Sequence, residues 1–191
     1  MSDAGRRWSL AAGVLLALVG AVAIAIYAGL YNVAADVPHT QPVYWLFETV
    51  RDRSIASRAR SVVVPNDLND QARILNGAGQ YAEMCSTCHL APGMERTEAS
   101  RGLYPRAPEL RRKTDLTAAE QFWIVKHGVK MTGMPAWGVT HSDELLWDVV
   151  ALLRKLPELT KEQYEALVEK APTHDELMQE MGGHQHGGKH E

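Results

Sequence analysis

Residues 85–89 of this 191-residue chain read CSTCH and hold its only two cysteines. The CxxC spacing occurs in structural disulfides, in redox-active dithiols and in halves of zinc sites. A disulfide between Cys85 and Cys88 would close so short a loop that it would constrain the unfolded chain little. A four-ligand zinc site would need a second pair of ligands at its own spacing, and the chain has no second CxxC. His89, directly after the second cysteine, favours a different chemistry.

A cysteine pair followed at once by histidine is the attachment motif of covalently bound haem. Such a site needs two thiols at the porphyrin edge, each forming a thioether with a vinyl group, and an imidazole that reaches the iron. All three groups lie within five residues here. We therefore predict one covalent haem c, bound through Cys85 and Cys88, with His89 as one axial ligand of the iron.

The second axial ligand is expected downstream, in the loop MTGMPAW at 131–137. Met134 is the best candidate, because it stands beside Gly133 and Pro135 in an aromatic-flanked loop. A thioether ligand would favour ferrous iron and raise the reduction potential relative to a second histidine. Pro135 stiffens the backbone after Met134, and Trp137 is a candidate for packing on the haem. Three other side chains are weaker candidates for the iron: Met131, His127 and His141.

The N-terminal segment predicts a membrane anchor at residues 1–35. Residues 8–31 carry no charge, and about 20 apolar residues span a bilayer as a helix. Arg6 and Arg7 precede this run, which predicts a cytoplasmic N-terminus and a periplasmic remainder at a bacterial inner membrane. A signal peptide cleaved near Ala35 is the alternative, although the run exceeds the 7–15 apolar residues of a typical signal core.

The rest of the chain predicts helices and no strand, because no window alternates with period two for long. Residues 36–65 are expected to form a connector. One helix in it has an apolar face made of Val43, Leu46, Phe47 and Val50. This face predicts either a strut packed on the haem domain or a helix lying on the membrane surface. Pro65 is the expected domain boundary. The domain at 66–157 should contain helices from Asn69 to about residue 83, from 118 to 127 and from 143 to 156. Thr117 and Glu120 predict a capping box at the start of the helix at 118–127, and Gly128 predicts its end.

Residues 75–156 resemble class I cytochrome c of the small bacterial type. Four features carry the resemblance besides CSTCH: Gly77 and Tyr81 before the first cysteine, Pro108-Glu109-Leu110, Met134-Pro135, and the helix at 147–156. The resemblance implies that the Pro108 carbonyl accepts the Nδ1 proton of His89 and so orients that ligand. One departure is Leu152, where the family often has an aromatic side chain against the glycine of the first helix.

The resemblance implies an all-α electron carrier and not an enzyme, serving respiratory-type redox partners from its membrane tether. A haem enzyme or gas sensor with an open sixth position, and a permanent subunit of a larger complex, are the alternatives. Nucleic acid is not an expected partner, since the net charge is −3. A basic cluster between the ligand motifs either neutralises haem propionates, docks an acidic partner or is an ordinary solvated surface: Arg101, Arg106, Arg111, Arg112 and Lys113.

The C-terminal segment at 158–191 predicts a short exposed helix at 160–170 and then a disordered tail. Histidines and methionines in this tail suggest either copper or zinc binding or a solubilising role: His174, Met178, Met181, His184, His186 and His190. With copper in the tail, the chain would instead be a metal-handling protein whose haem supplies reducing electrons.

Overall fold

A computed structural model describes residues 3–185 and divides the chain into two compact units, Met1–Val37 and Pro38–Glu191. The first unit contains helix α1, Asp3–Tyr27, followed by turns and irregular structure, and none of the helix residues is buried. The helix is long and apolar enough to cross a membrane. It ends four residues before the uncharged run does, because Gly29 adopts a positive φ and Leu30 N–H bonds back to the Ala25 carbonyl.

The described residues of the second unit form helices joined by irregular segments and contain no strand, which confirms the predicted all-α fold. Its helices, in chain order, are α2 Gln41–Ala59, α3 Gln71–Met84, α4 Ser86–His89, α5 Glu98–Gly102, α6 Ala118–His127, α7 Asp143–Lys155, α8 Lys161–Lys170 and α9 His174–Gln185. Two short 3₁₀ turns, Trp137–Val139 and Leu156–Glu158, flank α7.

The crossing of α3 and α7 forms the centre of this unit. Every residue of α7 from 145 to 153 is buried, and α3 buries Ile74 and the run 77–81. At the crossing, a Cβ added to Gly77 would overlap the carbonyl oxygen of Asp148 and lie 3.1 Å from Leu152 Cβ. Leu152 therefore fills the position at which the family often places an aromatic ring, and the glycine permits the close approach of the two backbones.

Local sequence signals set several helix boundaries as expected. Thr117 and Glu120 form a complete capping box at the start of α6, and Gly128 ends that helix with a φ of 64°. Helix α3 begins one residue later than expected, with Asp70 and not Asn69 at its N-cap. The reason is a turn before the helix, in which the Asp70 N–H bonds to the Asp67 carbonyl.

Residues 38–65, expected as a connector ending at Pro65, belong to the same compact unit as the helices that follow them. Helix α2 packs against α6 and buries Ile55 and Ala59. These two residues lie one turn apart on the side of α2 opposite to the apolar face that the sequence suggests. That face is exposed, and Val50 keeps 56% of its surface accessible.

The C-terminal segment also differs from expectation, since residues 174–185 are helical and not disordered. Thr173 caps α9, because its hydroxyl and Glu176 exchange hydrogen bonds across the first turn. Leu177 is buried in this helix and Tyr164 in α8, and both helices pack on α3. The unit built around α3 therefore extends past residue 157.

Candidate haem site

Helix α4 places the two cysteines and the histidine on a single helical turn. The N–H groups of Cys88 and His89 both bond to the Cys85 carbonyl, at 3.1 Å and 2.9 Å. Neither thiol forms a disulfide. Burial raises the pKa of the Cys85 thiol to about 12, and the neighbouring Cys88 adds to this effect.

The chain leaves this turn through a residue in a rarely used conformation. Leu90 has a φ of 61°, a backbone conformation that residues other than glycine seldom adopt. Its carbonyl accepts a hydrogen bond from the Tyr81 hydroxyl at 2.6 Å, and both residues are buried. Tyr81 lies in α3, one helical turn before Cys85, and its hydroxyl thus fixes the backbone that follows His89. The sequence does not reveal this role.

His89 is held at two points by the segment that begins at Pro108. Its Nδ1 lies 2.9 Å from the Pro108 carbonyl oxygen, and its own carbonyl accepts from the Leu110 N–H at 3.3 Å. A carbonyl only accepts, so Nδ1 carries the proton and the lone pair of the neutral ring lies on Nε2. Burial lowers the pKa of His89, which the bond to Pro108 opposes.

Met134 lies in a loop whose shape depends on Gly128. A Cβ on Gly128 would come within 2.7 Å of the backbone atoms of Met134 and Pro135, so only glycine fits there. The Met134 N–H donates to Thr132 Oγ1, and its carbonyl accepts from the N–H of Val129. Met134 is partly buried and packs against the apolar core.

The weaker candidates for the iron have different surroundings. Met131 has a φ of 60° and leaves 75% of its surface exposed. His127 is exposed, with its ring 4.9 Å from that of Trp123. His141 is buried and directs Nδ1 toward the Trp137 carbonyl.

The predicted site residues fall into two contact groups. Cys85 is part of the apolar core, against which Met134, Trp137 and Leu110 pack. His89 and Pro108 form the hydrogen-bonded pair described above. Two shallow clefts elsewhere, one along α2 and one of about 530 Å³ between α3 and α8, contain none of these residues.

The basic cluster between the ligand motifs is partly neutralised within the chain. Arg111 and Arg112 both contact the carboxylate of Glu109, at 3.1 Å and 3.0 Å. The Arg111 and Arg112 side chains lower the pKa of Glu109. Arg101 and Arg106 are exposed. The sequence does not indicate the role of Glu109, which reduces the charge that the cluster can offer to a propionate or an acidic partner.

The donor set fits a c-type haem. Two unpaired thiols lie one helical turn apart, and the adjacent imidazole has its Nδ1 proton committed to a carbonyl, which leaves Nε2 for iron. Cys85 belongs to the apolar core, and several apolar or soft side chains that suit a porphyrin face pack against that core: Met84, Met94, Leu110, Met134 and Trp137. Tyr81 and Leu90 fix the backbone on either side of the motif.

The family model of cytochrome c oxidase, cbb3-type, subunit III matches residues 72–153, which run from α3 into α7. The match covers less than half of the chain and marks this stretch as a c-type cytochrome domain, which supports a haem c and an electron-carrier role. The stretch follows one helix that is apolar and long enough to cross a membrane. No protein with a curated description and no solved structure matches the chain significantly.

The predicted metal binding by the tail has no support from the described residues. His186 and His190 lie outside them, and nothing is described of the His184 side chain. Among the side chains that the structure describes, at residues 3–179, no group of three or more histidine, cysteine or acidic residues is arranged to hold a metal ion.

Proposed function

We propose that the chain is a membrane-tethered one-electron carrier with a single haem c, bound covalently by Cys85 and Cys88. The cytochrome c domain match supports the electron-carrier role. The chain has two cysteines in all, which provides for one pair of thioether bonds. The haem iron accepts and releases one electron, and no substrate bond needs to break.

His89 and Met134 are the proposed axial ligands. The observation that carries this proposal is the 2.9 Å contact between His89 Nδ1 and the Pro108 carbonyl. It fixes the ring orientation and the tautomer, as an axial imidazole requires. Met134 is supported by its partly buried position in the Gly128-dependent loop, whereas Met131 is largely exposed.

The spectrum of the haem-loaded protein tests this ligand pair. Met134→Ala should abolish the far-red methionine–iron band and lower the reduction potential, because the thioether no longer stabilises ferrous iron. Met131→Ala is the matched control and should change neither. The reduced wild-type protein should not bind carbon monoxide, since both axial positions are filled.

Two results would contradict the proposal. Loss of the band in Met131→Ala but not in Met134→Ala would move the ligand to Met131. A high-spin ferric spectrum, with carbon monoxide binding to the reduced wild-type protein, would leave the sixth position open. That outcome would favour a haem enzyme or gas sensor over an electron carrier.

The tether is proposed to confine the domain near redox partners of the same membrane. Helix α1 would span the inner membrane once, with Arg6 and Arg7 on the cytoplasmic side and the haem domain in the periplasm. Tethering raises the effective concentration of the domain at respiratory-type donors and acceptors. Degradation of the haem domain by protease added to intact spheroplasts tests this orientation, and its protection would contradict it.

A further inference from the structure

Two histidines from distant parts of the chain meet where α9 begins. His141 precedes α7 and is 8% exposed, and His174 is the first residue of α9. Their ring centroids are 5.0 Å apart, with an angle of 31° between the ring planes. The backbone N–H of His174 donates to Glu83 Oε1 at 3.1 Å, so α3 also contributes to this corner.

Each of these rings has a buried nitrogen without a hydrogen-bond partner among the described residues. They are Nε2 of His141 and Nδ1 of His174. The other nitrogen of His141 lies 3.2 Å from the Trp137 carbonyl oxygen and 2.8 Å from Thr140 Oγ1. The Trp137 carbonyl only accepts, whereas the Thr140 hydroxyl can donate or accept; in the tautomer that donates Nδ1–H to Trp137, Nε2 presents a lone pair.

A buried polar atom without a partner is unfavourable, and because these two atoms belong to adjacent rings, one ligand between them would satisfy both. We propose that His141 Nε2 and His174 Nδ1 together bind a divalent transition-metal cation of the kind that prefers imidazole, for which Zn²⁺ is the best fit. This site is distinct from the haem ligands and from the tail histidines beyond residue 180.

Three features of the pair match a metal site. Donation of the second ring N–H to a backbone carbonyl is how proteins orient a metal-ligating histidine, and His141 makes this contact with Trp137. Zinc–nitrogen distances of about 2.0–2.1 Å at a tetrahedral angle put two ring centroids about 5 Å apart, close to the observed separation. Burial, and then the nearby His174, lower the pKa of His141, which favours the neutral ring that a cation needs.

Water would complete the coordination of the cation, because no third histidine, cysteine or acidic side chain is arranged as a ligand among the side chains described at residues 3–179. Glu83, beside the pair, is exposed. Because the two ligands belong to different elements, the bound ion would tie the start of α9 to the start of α7. Without the ion, the contacts of α9 and the residues before it include buried Leu177, the His174 N–H bond to Glu83 and the close approach of the Pro172 carbonyl to Gly79.

The test uses the full haem-loaded chain in detergent, with His184, His186 and His190 all replaced by alanine to remove the tail imidazoles. Titration with ZnCl₂ alone, followed by calorimetry, should give one bound Zn²⁺ per chain. Hydrogen exchange in α9 should slow on zinc addition. His141→Gln or His174→Gln in this background should weaken binding at least about tenfold, since each removes one of two protein ligands. His127→Gln, on an exposed residue, is the matched control and should bind zinc unchanged.

Circular dichroism and the haem spectrum report whether each variant is folded. Zinc binding that persists undiminished in both folded glutamine variants would overturn the proposal. So would the absence of binding when the tail histidines are removed, because zinc would then be held by the tail alone. Should His141→Gln fail to fold, His174→Gln decides the question by itself, since its side chain lies at the edge of the fold.

Discussion

The substitution Gly77→Ala tests whether the α3–α7 crossing limits the stability of the cytochrome c domain. The new Cβ would overlap the carbonyl oxygen of Asp148 and lie 2.7 Å from its carbonyl carbon. Carbon atoms prefer to be about 3.5–4.0 Å apart. The obstacle is backbone in the middle of α7, so no side-chain rotation relieves it and the two helices must separate.

The expected cost follows from two opposing terms. Overpacking a well-packed core typically costs about 1–3 kcal/mol, and an obstacle made of backbone places this site at the upper end. Alanine returns about 1 kcal/mol, because it favours the helix over glycine. The net loss is therefore about 2 kcal/mol in the free energy of unfolding. For a unit of this size that lowers the melting temperature by roughly 4–8 °C.

Thermal unfolding of the haem-loaded protein, followed by circular dichroism, measures this change. Gly102→Ala is the matched control, because no heavy atom lies within 4 Å of its added Cβ and its φ is not positive. The control should stay within about 0.5 kcal/mol of wild type. Equal melting temperatures for the two variants would refute the reasoning, since the crossing would then have room for a methyl group.

Two tyrosines in contact should respond oppositely to loss of their hydroxyls, as urea denaturation measures. Tyr81→Phe should lower the free energy of unfolding by about 1–3 kcal/mol, because it strands the buried Leu90 carbonyl. Tyr164→Phe should leave stability at pH 7 unchanged or raised, because its buried hydroxyl has no partner among the described residues. Burial raises the pKa of Tyr164 to about 12, so its contribution is full below about pH 10 and is lost as pH rises through 12. Tyr164→Phe should therefore lose less stability than wild type between pH 9 and 12, and equal losses would contradict this. Arg73→Leu should cost about 3–5 kcal/mol, because it leaves the 8% exposed Asp148 carboxylate without its cation at 2.9 Å. A cost below about 1 kcal/mol would show that this pair behaves as an exposed one.

Features set by neighbouring residues could be predicted from the sequence. The capping box at Thr117 and the stop at Gly128 define α6 because their hydrogen bonds lie within one helical turn. The CSTCH motif likewise contains its own geometry, since α4 closes on the Cys85 carbonyl. In these cases the residues that determine the structure are adjacent in the chain.

Features set by distant residues could not be predicted from local patterns. The sequence of α9 resembles a polar tail, and the burial of its Leu177 depends on packing with distant parts of the chain. The apolar face of α2 did not indicate that Ile55 and Ala59 are the side chains this helix buries. The contact of His89 with Pro108 crosses an irregular loop, and only the family resemblance suggested it. The pairing of His141 with His174 depends on how α8, which lies between them in the chain, is packed, and the two residues are too far apart for a local sequence pattern to predict their contact.

The helices outside the family match bear on the haem motif through a short series of contacts. The match ends within α7, yet α8 follows and places Tyr164 edge-on to the ring of Tyr81, with 6.3 Å between centroids. Tyr81 in turn bonds to the Leu90 carbonyl, directly after His89. Because Leu90 is held in an uncommon backbone conformation, the chain leaving the motif depends on that hydroxyl and on the packing that fixes its ring. A substitution in α8 that removes the Tyr164 ring should therefore disturb the His89 turn, although α8 lies outside the recognised domain.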